Sequence, residues 1–141
     1  MTKLLLTVAT LSLCFLASPS VWAEDAPAVV ASAAGDPALG EKVFVKCRAC
    51  HQIGENAHNS VGPELNGVIG RHSGSVAGYN YSDANKNSGL TWDEATFRDY
   101  IKDPKAKVPG TKMSFAGLTK ESDINNIVAY LKQFNADGKK Q

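Results

Sequence analysis

A Cys-x-x-Cys-His motif is formed by Cys47, Cys50 and His51. Two thiols separated by two residues can reach the two vinyl groups of one porphyrin, and the imidazole that follows directly then lies beneath the iron. This spacing is typical of covalent haem attachment. The motif therefore predicts one covalently bound haem c, with thioether bonds to Cys47 and Cys50 and with His51 as an axial ligand of the iron.

The same cysteine spacing also occurs in redox-active dithiols and in zinc sites. A thioredoxin-type dithiol belongs to a chain of alternating strands and helices, and this sequence has almost no strand signal. A structural zinc site needs four nitrogen or sulfur ligands. Beside Cys47, Cys50 and His51, only His58 and His72 remain as possible further ligands. Haem attachment is favoured, while a zinc site and a plain disulfide stay open as alternatives.

The first 23 residues have the pattern of a secretory signal peptide. Lys3 gives a positive start, Leu4–Ala17 is mostly apolar, and Val21-Trp22-Ala23 offers a small-x-small cleavage site before Glu24. The apolar run is too short for a hydrocarbon core of about 30 Å. We therefore expect cleavage near Ala23.

Cleavage of this segment removes Cys14, so that both remaining cysteines belong to the motif. An oxidising compartment tends to close an unprotected Cys-x-x-Cys as a disulfide, and haem attachment prevents this because it consumes both thiols. Export followed by haem addition indicates a bacterial periplasm.

The remaining chain has the length of one domain. Without Lys3, the numbers of basic and acidic residues are equal, so that net charge alone does not steer the protein to a partner. The expected division is a cleaved signal peptide at residues 1–23, an Ala-rich flexible extension at 24–36, the folded domain at 37–136 and a polar tail at 137–141.

Apolar periodicity predicts three helices with long loops between them. The first begins at Asp36-Pro37, where Asp can cap and Pro suits the first turn, and Leu39, Val43 and Phe44 share one face. The second begins at Thr91 in a capping box and stops before Pro104. The third follows Thr119 and carries an amphipathic stripe formed by Ile124, Ile127, Val128, Leu131 and Phe134.

Residues 52–90 are rich in Gly, Asn and Ser, with a short helical turn expected only after Ser82. A loop of this length is unusual in a compact domain. A flat apolar macrocycle inside the loop explains it, because the cofactor then supplies the core that the loop lacks. We therefore expect the haem-free chain to be largely unfolded.

Met113 is the one thioether left once Met1 is removed with the signal. It lies in a loop between the second and third helices. A lone Met in a loop usually fills a gap in the core, but in a chain that attaches haem it is also the leading candidate for the second axial position. The rival ligands are His58 and His72, in the polar loop near the attachment site.

Four segments resemble the class I cytochromes c, and the match is best to the branch of mitochondrial cytochrome c and bacterial cytochrome c2. They are residues 47–51, 62–67, 78–87 and 109–117. The resemblance implies an all-α class I cytochrome c fold, with helices and long loops wrapped around one haem. It also implies that the first and last helices cross near Gly40, Phe44, Ile127 and Tyr130. The loop after His51 and the Ala-rich extension depart from the mitochondrial pattern.

The resemblance also implies roles for individual residues. His51 and Met113 form the axial pair, and the Pro63 carbonyl accepts a hydrogen bond from the His51 ring. The remaining residues around the haem are Arg71, Tyr81 and Trp92 near a propionate, and Asn85, Tyr100 and Thr111 in a polar network near Met113, with the Tyr100 hydroxyl close to the sulfur.

An iron with protein ligands on both faces has no open position for a substrate. The expected function is therefore that of a soluble one-electron carrier and not of an enzyme. Two alternatives remain: a five-coordinate haem enzyme or gas-binding protein, in which Met113 only fills the core, and a haem subunit held permanently in a larger complex.

Five lysines and one aspartate give residues 102–120 a local excess of positive charge. A charge run is usually a solvated face, but the resemblance implies a ring of lysines around the exposed haem edge: Lys46, Lys105, Lys112 and Lys120. Such a ring favours transient docking on acidic surfaces. The implied partners are membrane redox complexes, with a bc1-type complex as donor and a terminal oxidase or photosynthetic reaction centre as acceptor. We expect a monomer that binds no nucleic acid.

Overall fold

The computed structural model describes residues 34–141, and within them the regular structure is helical. Extended pairing in this range is limited to two isolated bridges, His72 with Thr91 and Phe134 with Lys140. The predicted all-α architecture is confirmed. The helices are α1 (Pro37–Phe44), α2 (Asp83–Lys86), α3 (Glu94–Lys102), α4 (Pro104–Lys107) and α5 (Glu121–Leu131).

The predicted signal peptide with Cys14, and residues 24–33 of the predicted extension, lie outside the described residues. Between residues 34 and 141, no helix combines the length and the apolar character needed to cross a membrane.

Helix α1 begins as predicted. Asp36 Oδ1 accepts hydrogen bonds from the amides of Ala38, at 2.7 Å, and Leu39, at 3.3 Å, and Pro37 occupies the first turn. Val43 and Phe44 are buried, but Leu39, which was predicted to share their face, is 45% exposed. The reason is that Gly40 lies at the centre of the buried face, and Leu39 lies one helical step away at its edge.

Helices α1 and α5 cross in direct backbone contact, as the resemblance implied. A Cβ atom added at Gly40 would lie 2.6 Å from Tyr130 Cβ and would overlap the carbonyl oxygen of Asn126. Beside this contact the rings of Phe44 and Tyr130 lie 5.3 Å apart, and Ile127 is buried. The crossing fixes the end of α1, and hence the start of the Cys-x-x-Cys-His segment, against α5.

Helix α3 begins at Glu94 and not at Thr91, so the predicted capping box was wrong. Asp93 Oδ1 caps the helix by accepting from the Thr96 amide at 2.8 Å. Thr91 pairs instead with His72, through the backbone bridge and a 3.1 Å contact from its hydroxyl to His72 Nδ1. Helix α3 ends before Pro104, as predicted.

Two short helices flank the Met113 side of the molecule. Helix α2 follows Ser82, as predicted, and the Ser82 hydroxyl accepts from the Asn85 amide at 3.1 Å. Helix α4 was not predicted; Asp103 caps it at Ala106 N, 3.0 Å away, with Pro104 in the first turn.

Helix α5 buries its predicted apolar stripe, although it ends at Leu131 and Phe134 lies beyond its end. The last residues fold back, since the Asn135 amide donates to the Lys139 carbonyl at 3.0 Å. Gly138 is buried with φ of 76°, and a Cβ there would lie 2.7 Å from Asn66 Nδ2. The predicted polar tail therefore packs against the long loop.

Candidate haem-binding site

A cavity of about 320 Å³ lies inside the molecule, bordered by the end of α1, the long loop, α3, the Met113 loop and α5. Its lining is mainly apolar. Eight of the fifteen buried hydrophobic residues line it, so that the cavity takes up much of the core. These eight are Phe44, Val68, Trp92, Phe97, Tyr100, Ile101, Ile127 and Leu131.

The attachment motif forms one wall of this cavity. Two turns continue from α1, since the Cys47 amide donates to Phe44 O at 2.8 Å and the His51 amide donates to Cys47 O at 2.9 Å. Cys47, Cys50 and His51 all line the cavity, and both thiols are free in the described part of the chain. Burial raises the pKa of Cys47 to about 11, so the thiol is uncharged in its apolar surroundings.

The His51 ring is held in one orientation. Its Nδ1 lies 2.7 Å from the carbonyl oxygen of Pro63. Because a carbonyl only accepts, Nδ1 carries the proton and Nε2 is left with a free lone pair. Burial lowers the pKa of His51, against the opposing effect of the Pro63 hydrogen bond. The ring is therefore neutral and available to a metal.

Gly62 leaves room for this ring. A Cβ at Gly62 would lie 2.7 Å from His51 Nδ1 and 2.8 Å from Nε2. A side chain there would push the imidazole away from its Pro63 partner. This close approach gives a physical reason for glycine at the position.

Met113 lines the same cavity and belongs to a polar network. The Tyr100 hydroxyl donates to Met113 Sδ at 3.0 Å, and the Met113 amide donates to Thr111 Oγ1 at 3.2 Å. Thr111 in turn donates to Asn85 Oδ1 at 2.9 Å, and Ser82 Oγ donates to the same oxygen at 2.8 Å. Burial raises the pKa of Tyr100, so its hydroxyl keeps the proton that it donates.

The structure brings together most of the residues expected at the site. The rings of Trp92 and Tyr100 lie 4.5 Å apart on the wall. Arg71, Lys105 and Lys120 lie outside the lining. The expected residues that do line the cavity are Lys46, Cys47, Cys50, His51, Pro63, Tyr81, Asn85, Trp92, Tyr100, Thr111, Lys112 and Met113.

Sequence reasoning missed two polar residues near the site. Ser82 was interpreted only as a helix start, yet its hydroxyl also orients Asn85. Its position three residues before Asn85 is the usual cap spacing and was a usable signal. Glu64, which binds Arg71 at 2.8 Å, gave no such signal because the two residues meet across a turn without periodicity.

These residues fit a haem. The cavity is apolar, it has two free thiols and a neutral imidazole on one wall, and it has a thioether in the same lining. By contrast, residues 34–141 contain no group of three or more His, Cys, Asp or Glu side chains placed to hold a metal ion directly. An all-helical chain around such a cavity defines a protein of the covalent haem-binding class.

Comparison with known proteins agrees with the site. The family model for cytochrome c matches residues 37–135. The chain is 66% identical over 111 residues to cytochrome c-554 of Methylosinus trichosporium, covering 79% of this chain and 84% of that protein. It is 60% identical over 116 residues to cytochrome c2 of Blastochloris viridis, covering 82% and 91%.

A solved structure shares the architecture. Cytochrome c2 from Rhodospirillum centenum superposes with a TM-score of 0.69 at 42% identity, covering 72% of this chain and 99% of that one. The chain belongs to the cytochrome c family, as a class I c-type cytochrome of the c2 branch. It carries one covalently bound haem c and is an electron-carrier cytochrome, so the haem prediction is confirmed over the zinc and disulfide alternatives.

Proposed function

We propose that His51 Nε2 and Met113 Sδ are the two axial ligands of the haem iron. The observation that carries this proposal is that both side chains line one cavity and that a hydrogen bond holds each of them there. Pro63 O holds His51 at 2.7 Å, and the Tyr100 hydroxyl holds the Met113 sulfur at 3.0 Å. Partners of this kind orient ligands and tune the metal that they bind.

With both positions taken by the protein, the chemistry that the haem supplies is the exchange of one electron. No substrate can bind to the iron during this exchange, because His51 and Met113 occupy both of its axial positions. A His/Met pair raises the reduction potential above that of a His-only haem, and the apolar lining adds to this because it disfavours the extra positive charge of the ferric state. The proposed role is a high-potential, one-electron carrier.

Met113→Ala tests the axial pair. We expect the variant to lose the absorption band that arises from charge transfer between the methionine sulfur and ferric iron, because Met113 is the sole thioether in residues 34–141. Its reduction potential should also fall. The matched control is Ser114→Ala, an exposed neighbour that also lines the cavity, which should keep the band. A band that persists in Met113→Ala contradicts the proposal, because Met113 is then not the source of the band.

The proposed setting is the bacterial periplasm, where the carrier is soluble and shuttles as a monomer between membrane redox complexes. The support is the export pattern of residues 1–23 together with the likeness to bacterial proteins named cytochrome c2. A bc1-type complex is the proposed donor, and a terminal oxidase or photosynthetic reaction centre the proposed acceptor.

Docking is proposed to use the lysines near the Met113 loop. Lys105, Lys112 and Lys120 are exposed, and none lies within ion-pair distance of a carboxylate in the described part of the chain. Lys46 differs, because its Nζ lies 3.1 Å from Asp123 Oδ2. Its charge is partly neutralised, so the first three lysines contribute most to steering.

Electron transfer to an acidic membrane partner is expected to slow as salt concentration rises, because steering by exposed charges is screened. Lys112→Gln should lower the rate at low salt and flatten its dependence on ionic strength, as measured by stopped-flow kinetics with isolated partner complex. Lys139→Gln, an exposed lysine outside the cavity lining, is the matched control. Equal rates at all salt concentrations in the unmodified protein contradict electrostatic docking.

A further inference from the structure

The Arg71 guanidinium is held by three acceptors in the turn formed by residues 64–66. Nη1 donates to Glu64 Oε1 and to the Asn66 carbonyl, each at 2.8 Å, and Nη2 donates to the Glu64 carbonyl at 2.8 Å. Both side chains are largely buried, with exposed fractions of 18% for Arg71 and 21% for Glu64. The second carboxylate oxygen, Oε2, accepts from the Asn66 amide at 2.6 Å. The pair is therefore fixed in place.

This ion pair is connected to the His51 wall of the cavity through two neighbouring carbonyl groups. The Pro63 carbonyl binds the His51 ring, and the next carbonyl along the chain, that of Glu64, binds Arg71. The charges also act on cavity residues. Burial is the main cause of the lowered pKa of His51, and the positive charge of Arg71 lowers it further. For Tyr81, burial raises the pKa, Arg71 opposes this and Glu64 adds to it.

We propose that Glu64 lowers the reduction potential of the haem by neutralising Arg71 beside the His51 wall. Reduction adds one negative charge to the cavity, and a nearby guanidinium favours that state. The Glu64 carboxylate cancels much of this effect because it lies 2.8 Å from the guanidinium. The inference rests on the proposed function, because the potential that is measured is that of a haem iron bound by His51 and Met113. It makes Glu64 a residue that sets the potential without touching the haem ligands.

Glu64→Gln in the haem-loaded protein is the direct test. The Glu64 and Asn66 carbonyls still hold Arg71, so the substitution removes a charge and leaves the guanidinium in position. We expect the ferric-to-ferrous equilibrium constant to rise by roughly threefold, the effect of one partly screened charge, measured by potentiometric titration. At about 59 mV per tenfold change for one electron, this is an upward shift of about 28 mV.

Three comparisons make the result decisive. Glu64→Asp keeps the charge and should keep the original potential, and Glu55→Gln, which removes an exposed carboxylate without an ion pair among the described residues, should shift it far less. Arg71→Gln, which removes the positive charge instead, should lower the potential. An unchanged potential in Glu64→Gln, or an equal shift in Glu64→Asp, overturns the proposal. The methionine–iron band distinguishes a failure of this proposal from a failure of the proposed axial pair. A variant that keeps the band still has both axial ligands, whatever its reduction potential.

Discussion

The double substitution Cys47→Ser and Cys50→Ser is expected to leave the chain largely unfolded. It prevents haem attachment, and eight of the fifteen buried hydrophobic residues then border an empty cavity. If each of these eight residues loses only about 1 kcal/mol, which is less than the value for full exposure, the summed loss approaches the total stability of an ordinary domain, about 5–15 kcal/mol. Residues 45–82, which include most of the long loop, contain no helix to compensate.

Far-UV circular dichroism checks this expectation, with the haem-loaded protein as reference. The double variant should lose most of the helical signal at 222 nm and should show no cooperative thermal transition. Ala49→Ser, at the exposed position between the two cysteines, is the matched control and should keep both haem and helices. A strongly helical signal from the double variant shows instead that the protein forms its core without the cofactor.

The features that sequence predicted best were those determined by local spacing. The Cys-x-x-Cys-His motif needs only five adjacent residues, and the Asp36-Pro37 start of α1 needs only the following turn. The stripe on α5 was also local, because 3.6-residue periodicity brings Ile124, Ile127 and Val128 to one face without reference to the rest of the chain.

The features that sequence did not predict depend on contacts between distant residues. Thr91 fitted a capping box, but its pairing with His72, 19 residues earlier, holds it outside the helix, and Asp93 takes the cap. Leu39 fitted an apolar face whose centre proved to be Gly40, because α5 approaches there. In both cases the local pattern was compatible with two structures, and a contact with a distant residue determined which of them formed.

The Glu64–Arg71 pair shows the same limit at the site. The family likeness directed attention to Arg71 as a propionate neighbour, and this role stays a prediction. The structure adds an acidic partner that binds it through both side chain and backbone. Motifs identify the ligands of a cofactor, whereas the charges that adjust its potential depend on loop geometry that carries no periodic signal.

Gly40→Ala is expected to destabilise the haem-loaded protein even though alanine favours helices. Propensity alone would stabilise α1 by about 1 kcal/mol. The added methyl group, however, would overlap the Asn126 carbonyl and lie 2.6 Å from Tyr130 Cβ. Neither neighbour can move easily, because one is backbone and the other is packed between Phe44 and Phe134 with ring centroids 5.3 Å away on each side. Overpacking at such a contact costs about 3 kcal/mol.

Guanidinium denaturation of the haem-loaded variant should therefore give a free energy of unfolding at least about 2 kcal/mol below that of the unmodified protein. Lys42→Ala is the matched control, since it places alanine at an exposed position of the same helix and should change stability by no more than about 0.5 kcal/mol. Because α1 leads directly into the attachment motif, a looser crossing should also shift the His51 wall, which a change in the methionine–iron band would report. Equal or greater stability in Gly40→Ala would mean that α1 and α5 can separate without cost, and that the haem alone holds the two ends of the chain together.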